Sequence, residues 1–359
     1  MATKPAPRVV KVAAAQLGPN QKAVSRASIL DRMLKLMDEA AAQGVKILAY
    51  PELALTTFFP VHYLADEDEI ASYFEPTSAA DPYAVLSSPH AKPLVDKANA
   101  LGIDFYIGFA ERWTGEDGKT TDYNTCIYYS VAAKNGVGKY RKVHLPGTKE
   151  PLPNPKAFQQ LEKKYFTPGD LGFPAFRAPG LIDGALKAED VGQEANSVAK
   201  GDPIMGMLIC NDRRWPEAWR PYGLQGAELV IEGYNTTAWA PQYDGTPEEQ
   251  QKLAEFHHRL SCQAGSYQNA LWSINVAKCG IENEQGLIAG SMIIDPLGRV
   301  VAESKTMDDE LIVATIDLSM CQSQRGRVFN FEKHRRLEHY GMILDQVGLQ
   351  EIPLLSRAP

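Results

Sequence analysis

The feature that most constrains this chain is a junction that occurs twice: an apolar run that ends abruptly in a residue able to do chemistry. Val45-Lys46-Ile47-Leu48-Ala49-Tyr50 runs into Pro51-Glu52, and Ile204-Met205-Gly206-Met207-Leu208-Ile209 runs into Cys210. Asn211-Asp212-Arg213-Arg214-Trp215-Pro216-Glu217 follows the cysteine and suits a turn leading into a helix. A strand that stops in a thiol puts the sulfur at its exit. Backbone N–H groups of the next turn would then face it, favouring thiolate and offering donors to a developing oxyanion. Taken alone, Cys210 also reads as a small buried hydrophobe, the common fate of a free thiol.

The rest of the chain alternates strands and helices without a compositional break. Val9–Ala15 reads as a strand, followed by Ile29, Leu30, Met33, Leu34, Leu36, Met37, Ala40 and Ala41 at helical spacing, with Gly44 ending the helix. Further strands are expected at Ile103–Ala110, Asn124–Val131, Leu229–Tyr234, Leu271–Ala277, Leu287–Ile294 and Leu311–Ile316. Helices are expected near Pro93–Ala100, Pro216–Leu224 and Glu248–Ala264. This order suits a sheet-rich α/β protein with helices outside. One domain over 1–359 is expected, with a surface insertion at 178–202, where Gly180, Gly184, Gly192 and Gly201 lie among polar residues. An interdomain linker is the competing reading of that stretch, but Cys210 follows too soon for a second self-contained pattern to begin.

Charge and composition exclude several classes of function. With 44% hydrophobic and 23% charged residues and a net charge of −7, the chain is a globular type without the basic footprint of nucleic-acid or anionic-membrane binding. Small molecules become the expected ligands. No apolar run reaches the length of a membrane span, and Met1-Ala2-Thr3-Lys4-Pro5-Ala6-Pro7 lacks a signal-peptide core, so a cytoplasmic protein is expected. The five cysteines, Cys126, Cys210, Cys262, Cys279 and Cys321, are widely spaced, with no pair suggesting zinc or a redox motif. Reduced thiols and no metal are expected.

Glu52 and Lys142 are the other chemical candidates. Glu52 follows its strand directly among Leu53, Leu55, Phe58 and Phe59, where apolar surroundings would raise its pKa toward that of a general base for a thiol. A glutamate in the first turn of a helix is the plain alternative. In Gly138-Lys139-Tyr140-Arg141-Lys142-Val143-His144, strand alternation points Tyr140, Lys142 and His144 to one side and Lys139, Arg141 and Val143 to the other. Lys142 could then serve as a fixed ammonium donor to an oxyanion, or simply lie on a solvated strand. Glu150, eight residues on, could hold that ammonium or relay a proton, or sit in a surface loop.

Glu52, Lys142 and Cys210 with their surroundings resemble the nitrilase superfamily, whose Glu-Lys-Cys site hydrolyses carbon–nitrogen bonds. Within it the chain is most similar to N-carbamoyl-D-amino-acid amidohydrolases. The blocks that carry the similarity are Pro51–Pro60, Lys139–Gly147, Pro168–Pro174, Cys210–Arg220 and Gly233–Thr236. The resemblance implies a four-layer αββα sandwich, a homodimer or homotetramer, and no cofactor. It implies Glu52 as base, Cys210 as nucleophile, Lys142 with the Asn211 backbone N–H at the oxyanion, and Glu150 as the second glutamate supporting the lysine.

Substrate recognition is expected from Arg213 and Arg214, whose guanidiniums can grip a carboxylate bidentately, or else form a plain salt bridge. Asn235 and Thr236 match the family's substrate loop and His144 a pocket histidine. Where that family reads Phe-Gln-His-Leu-Glu-Lys, this chain has Phe158-Gln159-Gln160-Leu161-Glu162-Lys163, so Gln160 replaces a pocket histidine, keeping hydrogen bonds but not charge. The implied reaction is hydrolysis of a carbamoyl amino acid. Another hydrolase of the superfamily, acting on a carbamoyl β-amino acid, a simple amide or a nitrile, and a non-catalytic scaffold are the alternatives.

Overall fold

The computed structural model describes residues 8–154, 156–186 and 199–355. One sheet of seven strands joins β1 (Val9–Gln16), β2 (Ile47–Ala49), β3 (Phe74–Ser78), β4 (Asp104–Thr114), β5 (Thr120–Ser130), β6 (Asn135–Arg141) and β15 (Glu310–Asp317). A second, of six strands, joins β7 (Phe176–Arg177), β8 (Ile204–Ile209), β9 (Leu229–Asn235), β10 (Trp272–Lys278), β13 (Met292–Ile294) and β14 (Val300–Glu303). The hairpin β11 (Gly280–Glu282) and β12 (Gln285–Leu287) stands apart. Parallel pairing runs through the middle of both sheets, β1–β2–β4 in the first and β8–β9–β10 in the second. The strand exits that carry Glu52 and Cys210 therefore belong to central, doubly covered strands.

The period of two in β1 shows how the layers form. Val10, Val12 and Ala14 join Met207, Ile209, Ile231 and Ile274 of the other sheet in one core. Ala13 and Ala15 point the opposite way, onto Ile29, Met33, Met37 and Ala40 of α1 (Arg26–Ala42). Each such apolar side chain stabilises by about 1.5–3 kcal/mol when fully buried. The Ser25 cap on the Ser28 N–H is worth about 1 kcal/mol, so packing rather than capping holds α1 in place. α2 (Lys92–Leu101) covers the same outer face through Leu94 and Ala98. On the far side, α3 (Pro216–Leu224) and α4 (Pro247–Asn269) cover the second sheet. Trp219 and Tyr222 of α3 are buried in the central cluster, and Thr246 and Glu249 form a capping box on α4. Helix, sheet, sheet and helix make the αββα sandwich.

The expected strands and helices lie close to where the sequence places them, with one exception, whereas β3, β7, β11 and β14 were not foreseen. The run Leu287–Ile294 is not a single strand, because Gly290 takes a left-handed φ of 92° between β12 and β13. In the 178–202 stretch, Ala178 is buried and Leu186 bridges Gly201, whereas residues 187–198 lie outside those described. All five cysteines are free and buried. Among the described residues, no helix is long and apolar enough to cross a membrane.

Candidate active site

The Glu52 backbone lies between β4 of one sheet and β9 of the other. A Cβ on Gly108 of β4 would lie 2.8 Å from the Glu52 Cα, and one on Gly233 of β9 would lie 2.6 Å from the Glu52 nitrogen. Only glycine at both positions lets the Pro51–Glu52 backbone pass between the sheets. The carboxylate is fully buried and fully engaged. Oε1 accepts from Asn124 Nδ2 and Lys142 Nζ, each at 2.8 Å, and Oε2 accepts from the Asn235 N–H at 2.9 Å and Asn235 Nδ2 at 3.0 Å. Burial alone would raise its pKa, as the sequence suggests. The Lys142 charge and the hydrogen bonds from Lys142, Asn235 and Asn124 outweigh it, and Glu52 is held below the usual glutamate value. The expected rise is thereby corrected.

Lys142 follows β6 directly, on the Tyr140 side of the strand, while Lys139 and Arg141 turn the other way to Glu111. Its ammonium also donates to Glu162 Oε2 at 2.6 Å. Two of its three N–H donors are thus used among the described residues, which leaves one for an oxyanion. Glu150 does not take the expected part. It is exposed, and its backbone carbonyl accepts from Thr148 Oγ1. Glu162 supplies the second carboxylate, because the short helix Glu162–Tyr165 turns it inward behind Leu161. Burial raises Glu162 to about 7, against the pull of Lys142. Lys142 itself is raised, the surrounding negative charge overcoming its burial.

Cys210 takes a left-handed φ of 50° at the exit of β8 and opens a tight 3-10 turn, Cys210–Arg214. A non-glycine residue there costs of order 1–3 kcal/mol and persists only where its surroundings impose it. Here Arg213 NH1 donates to the Cys210 carbonyl at 2.6 Å, and Asp212 Oδ2 accepts from the Ile209 N–H at 3.2 Å. Asp212 also accepts from Tyr140 OH at 2.7 Å and from the His144 N–H at 2.9 Å. The turn bearing Cys210 is thereby tied to the segment bearing Lys142. The thiol donates to the Asn235 carbonyl at 3.3 Å, and burial with the nearby Glu52 charge pushes it up to about 11. Burial thus favours the neutral thiol, while the hydrogen bonds and the Lys142 charge favour the ionised Glu52 carboxylate.

A cavity of about 760 Å³ opens above Cys210, lined in part by Asn211, Asn235, Thr236 and Gln160. Its walls come from the 146–160 loop, the exit of β9 and α4, and include Trp239, Leu253 and Leu260. The two arginines part company. Arg214 lines the cavity and its side chain makes no hydrogen bond or ion pair with a described residue, whereas Arg213 is buried beneath the turn on Cys210, Thr236 and Glu232. Both were expected at the substrate, but only Arg214 faces the cavity. His144 is likewise displaced: Asp212 Oδ1 faces its Nδ1 at 2.8 Å, it stacks on Trp215, and it lines a separate depression. Asn235 bonds Glu52 as well as lining the cavity, and Thr236 also accepts from Arg213.

Three groups were missed in the sequence, Asn124, Glu162 and Glu232, and only Glu232, set in the apolar run Leu229-Val230-Ile231, carries a local signal. Among the described residues one set of potential metal ligands gathers, Glu232, His258 and Cys262, with donor atoms within 4.8 Å of one another. The Arg213 guanidinium already supplies positive charge to Glu232, so a cation there would meet a like charge.

A family model described as carbon-nitrogen hydrolase matches residues 11–326. The chain is 26% identical to a nitrilase of Pyrococcus abyssi, over 92% of this chain and 99% of that protein. It is 28% identical to an N-carbamoylputrescine amidase of Arabidopsis thaliana, over 88% and 89%, and 26% identical to a citrullinase of Francisella tularensis, over 93% and 98%. Among solved structures, a carbon-nitrogen hydrolase from Helicobacter pylori G27 superposes with a TM-score of 0.71 at 19% identity, covering 94% of this chain and 99% of that one. The C. elegans NitFhit protein superposes at 0.68 and 18%, covering 94% and 67%. With its buried Glu-Lys-Cys constellation and a family match spanning most of its length, the chain belongs to the carbon–nitrogen hydrolase family of the nitrilase superfamily.

Proposed function

We propose that the protein hydrolyses the carbamoyl C–N bond of N-carbamoyl amino acids, the D-enantiomers first, to ammonia, carbon dioxide and the amino acid. The observation that carries this reading is Arg214, a cation without an ion-pair partner among the described residues, on the wall of the cavity that contains Cys210. A guanidinium so placed suits a carboxylate on the substrate. Trp239, Leu253 and Leu260 suit an apolar side chain beside it. Relatives named for carbamoyl substrates, the N-carbamoylputrescine amidase and the citrullinase, support the carbamoyl half. The D preference rests on the similarity of the Cys210–Arg220 and Gly233–Thr236 blocks to D-carbamoylases.

In this reading Cys210 attacks the carbamoyl carbon as Glu52 accepts the thiol proton. The spare Lys142 donor and the Asn211 backbone N–H receive the oxyanion. As the ammonium turns toward that oxygen, Glu52 loses part of the charge that depresses its pKa and becomes a better base. Ammonia leaves with a proton from Glu52. Glu52 then activates water against the thioester, releasing a carbamic acid that breaks down to carbon dioxide and the amino acid.

A second reading, a carbamoyl amine carrying a distal ammonium, is favoured by Asp244, which lines the same cavity. Ammonia release from N-carbamoyl-D-phenylalanine, its L form, a β-ureido acid, N-carbamoylputrescine, an aliphatic amide and a nitrile separates the alternatives. Turnover highest on the D-carbamoyl acid supports the proposal. Turnover highest on the amine, the simple amide or the nitrile overturns it.

A further inference from the structure

Glu232 lies in the middle of β9, in the run Leu229-Val230-Ile231-Glu232-Gly233-Tyr234, and is fully buried. An acid in such a strand is rare without a partner. Its partner is Arg213, whose NH1 lies 3.4 Å from Glu232 Oε1. The same guanidinium donates to the Cys210 carbonyl at 2.6 Å and to Thr236 Oγ1 at 2.7 Å, and lies 4.8 Å from the centre of the Tyr234 ring. Trp219 Nε1 pins the Arg213 carbonyl at 2.9 Å. Every one of these contacts holds Arg213 to the protein. Below the pair, Cys262 and His258 of α4 close the site, with His258 Nε2 facing the Gly290 carbonyl at 3.1 Å.

The pair bears on the nucleophile in two ways. Mechanically, Arg213 is one of the ties that keep Cys210 left-handed. Electrically, the charged groups felt by the Cys210 sulfur include Glu52 and Glu162, which oppose its ionisation, and Lys142 and Arg213, which favour it. Glu232, the carboxylate paired with Arg213, opposes the Arg213 contribution when it is ionised. Burial raises Glu232 itself to about 7, against the pull of Arg213.

We propose that Glu232 is a positioning residue for the nucleophile. By holding Arg213 on the Cys210 carbonyl and neutralising it, Glu232 sets the turn that presents the thiol and removes Arg213 from substrate recognition, leaving Arg214 alone to meet a carboxylate. The last clause rests on the carbamoyl-acid reading above; the first does not.

The test compares Glu232→Gln, Glu232→Asp, Arg213→Lys and Arg214→Lys with the wild type. The readouts are kcat and KM on N-carbamoyl-D-phenylalanine and on the carboxylate-free N-carbamoyl-phenethylamine, and the rate of Cys210 alkylation by iodoacetamide between pH 6 and 9. In Glu232→Gln the unopposed Arg213 charge should raise alkylation at pH 8 about tenfold, the effect of a nearby opposite charge on a thiol. The loosened turn should lower kcat about tenfold or more on both substrates, as small misplacements of a reacting group do. Glu232→Asp should restore the wild-type alkylation profile. Arg213→Lys should lower kcat on both substrates alike, and Arg214→Lys should raise KM on the acid alone. Unchanged alkylation and kcat in a folded Glu232→Gln overturn the proposal, as does an Arg213→Lys effect confined to KM for the acid. If the wild type turns over neither urea, the carbamoyl reading fails while alkylation still decides the role of Glu232.

Discussion

The floor and the wall of the cavity are built on opposite principles. On the floor, Glu52, Lys142 and Glu162 are fully buried and each bonded to another, and the Glu52 backbone is squeezed between two glycines. On the wall, Trp239, Tyr243 and Leu253 are substantially exposed and Arg214 has no ion-pair partner among the described residues. Water is excluded where charge must be strong and admitted where a ligand must enter. Substitutions on the floor should therefore change the chemistry for every substrate, and substitutions on the wall should change which substrate is preferred.

The sharpest way to break this contrast is Cys210→Ala. It should abolish turnover on every substrate, with circular dichroism and thermal unfolding close to wild type; residual activity would place the chemistry elsewhere. Glu52→Gln and Lys142→Met come next. Each should lower kcat by roughly 10²–10⁴, the usual loss for a proton-transfer group or an oxyanion donor, with KM little changed. A loss of only a fewfold would remove either residue from the mechanism.

Glu162 offers a test by pH. Its folded pKa of about 7 lies above its ordinary value of 4.5, so its contribution to stability is full below about pH 4.5 and is lost as pH rises through about 7. Across that window the wild type should lose stability relative to Glu162→Gln in urea unfolding. A flat difference would mean that Glu162 is not driven toward neutrality by burial. Glu150→Gln, on the exposed loop, should change stability by less than about 0.5 kcal/mol and leave kcat intact.

The smallest catalytic effect belongs to the wall. Arg214→Ala should cost about 1.5–3 kcal/mol in kcat/KM on a carbamoyl acid and spare a neutral urea, roughly ten- to a hundredfold in selectivity. Equal losses on both would make Arg214 structural. Gln160→His should shift preference among side chains more than it shifts kcat, because Gln160 lines the cavity as a neutral hydrogen-bonding group.

The floor was more legible in the sequence than the wall. Glu52 and Cys210 follow apolar strands, and Lys142 falls on the Tyr140 side by simple alternation. Glu162 was hidden in plain view within Phe158–Lys163, because the spacing of Glu150 from Lys142 looked as good and only the path of the 146–160 loop separates them. Gly147 marks that path, with a left-handed φ of 74° and a Cβ position 1.9 Å from the Gln160 carbonyl oxygen. Arg213 and Arg214 are adjacent and chemically identical, so no local pattern could assign one to Glu232 and the other to the cavity.

By itself, the sequence determined the alternation of strand and helix and the placing of Glu52 and Cys210 at strand exits, since these depend on short periodicities and on where an apolar run stops, while the αββα layering was implied by the family resemblance. The tertiary structure alone decided which carboxylate meets Lys142, which arginine faces the cavity and which way the Glu52 pKa moves. Each of those depends on groups far apart in the chain, Asn124, Glu162, Glu232 and Asn235, whose charges and hydrogen bonds act through distance in space, a quantity that sequence separation does not encode.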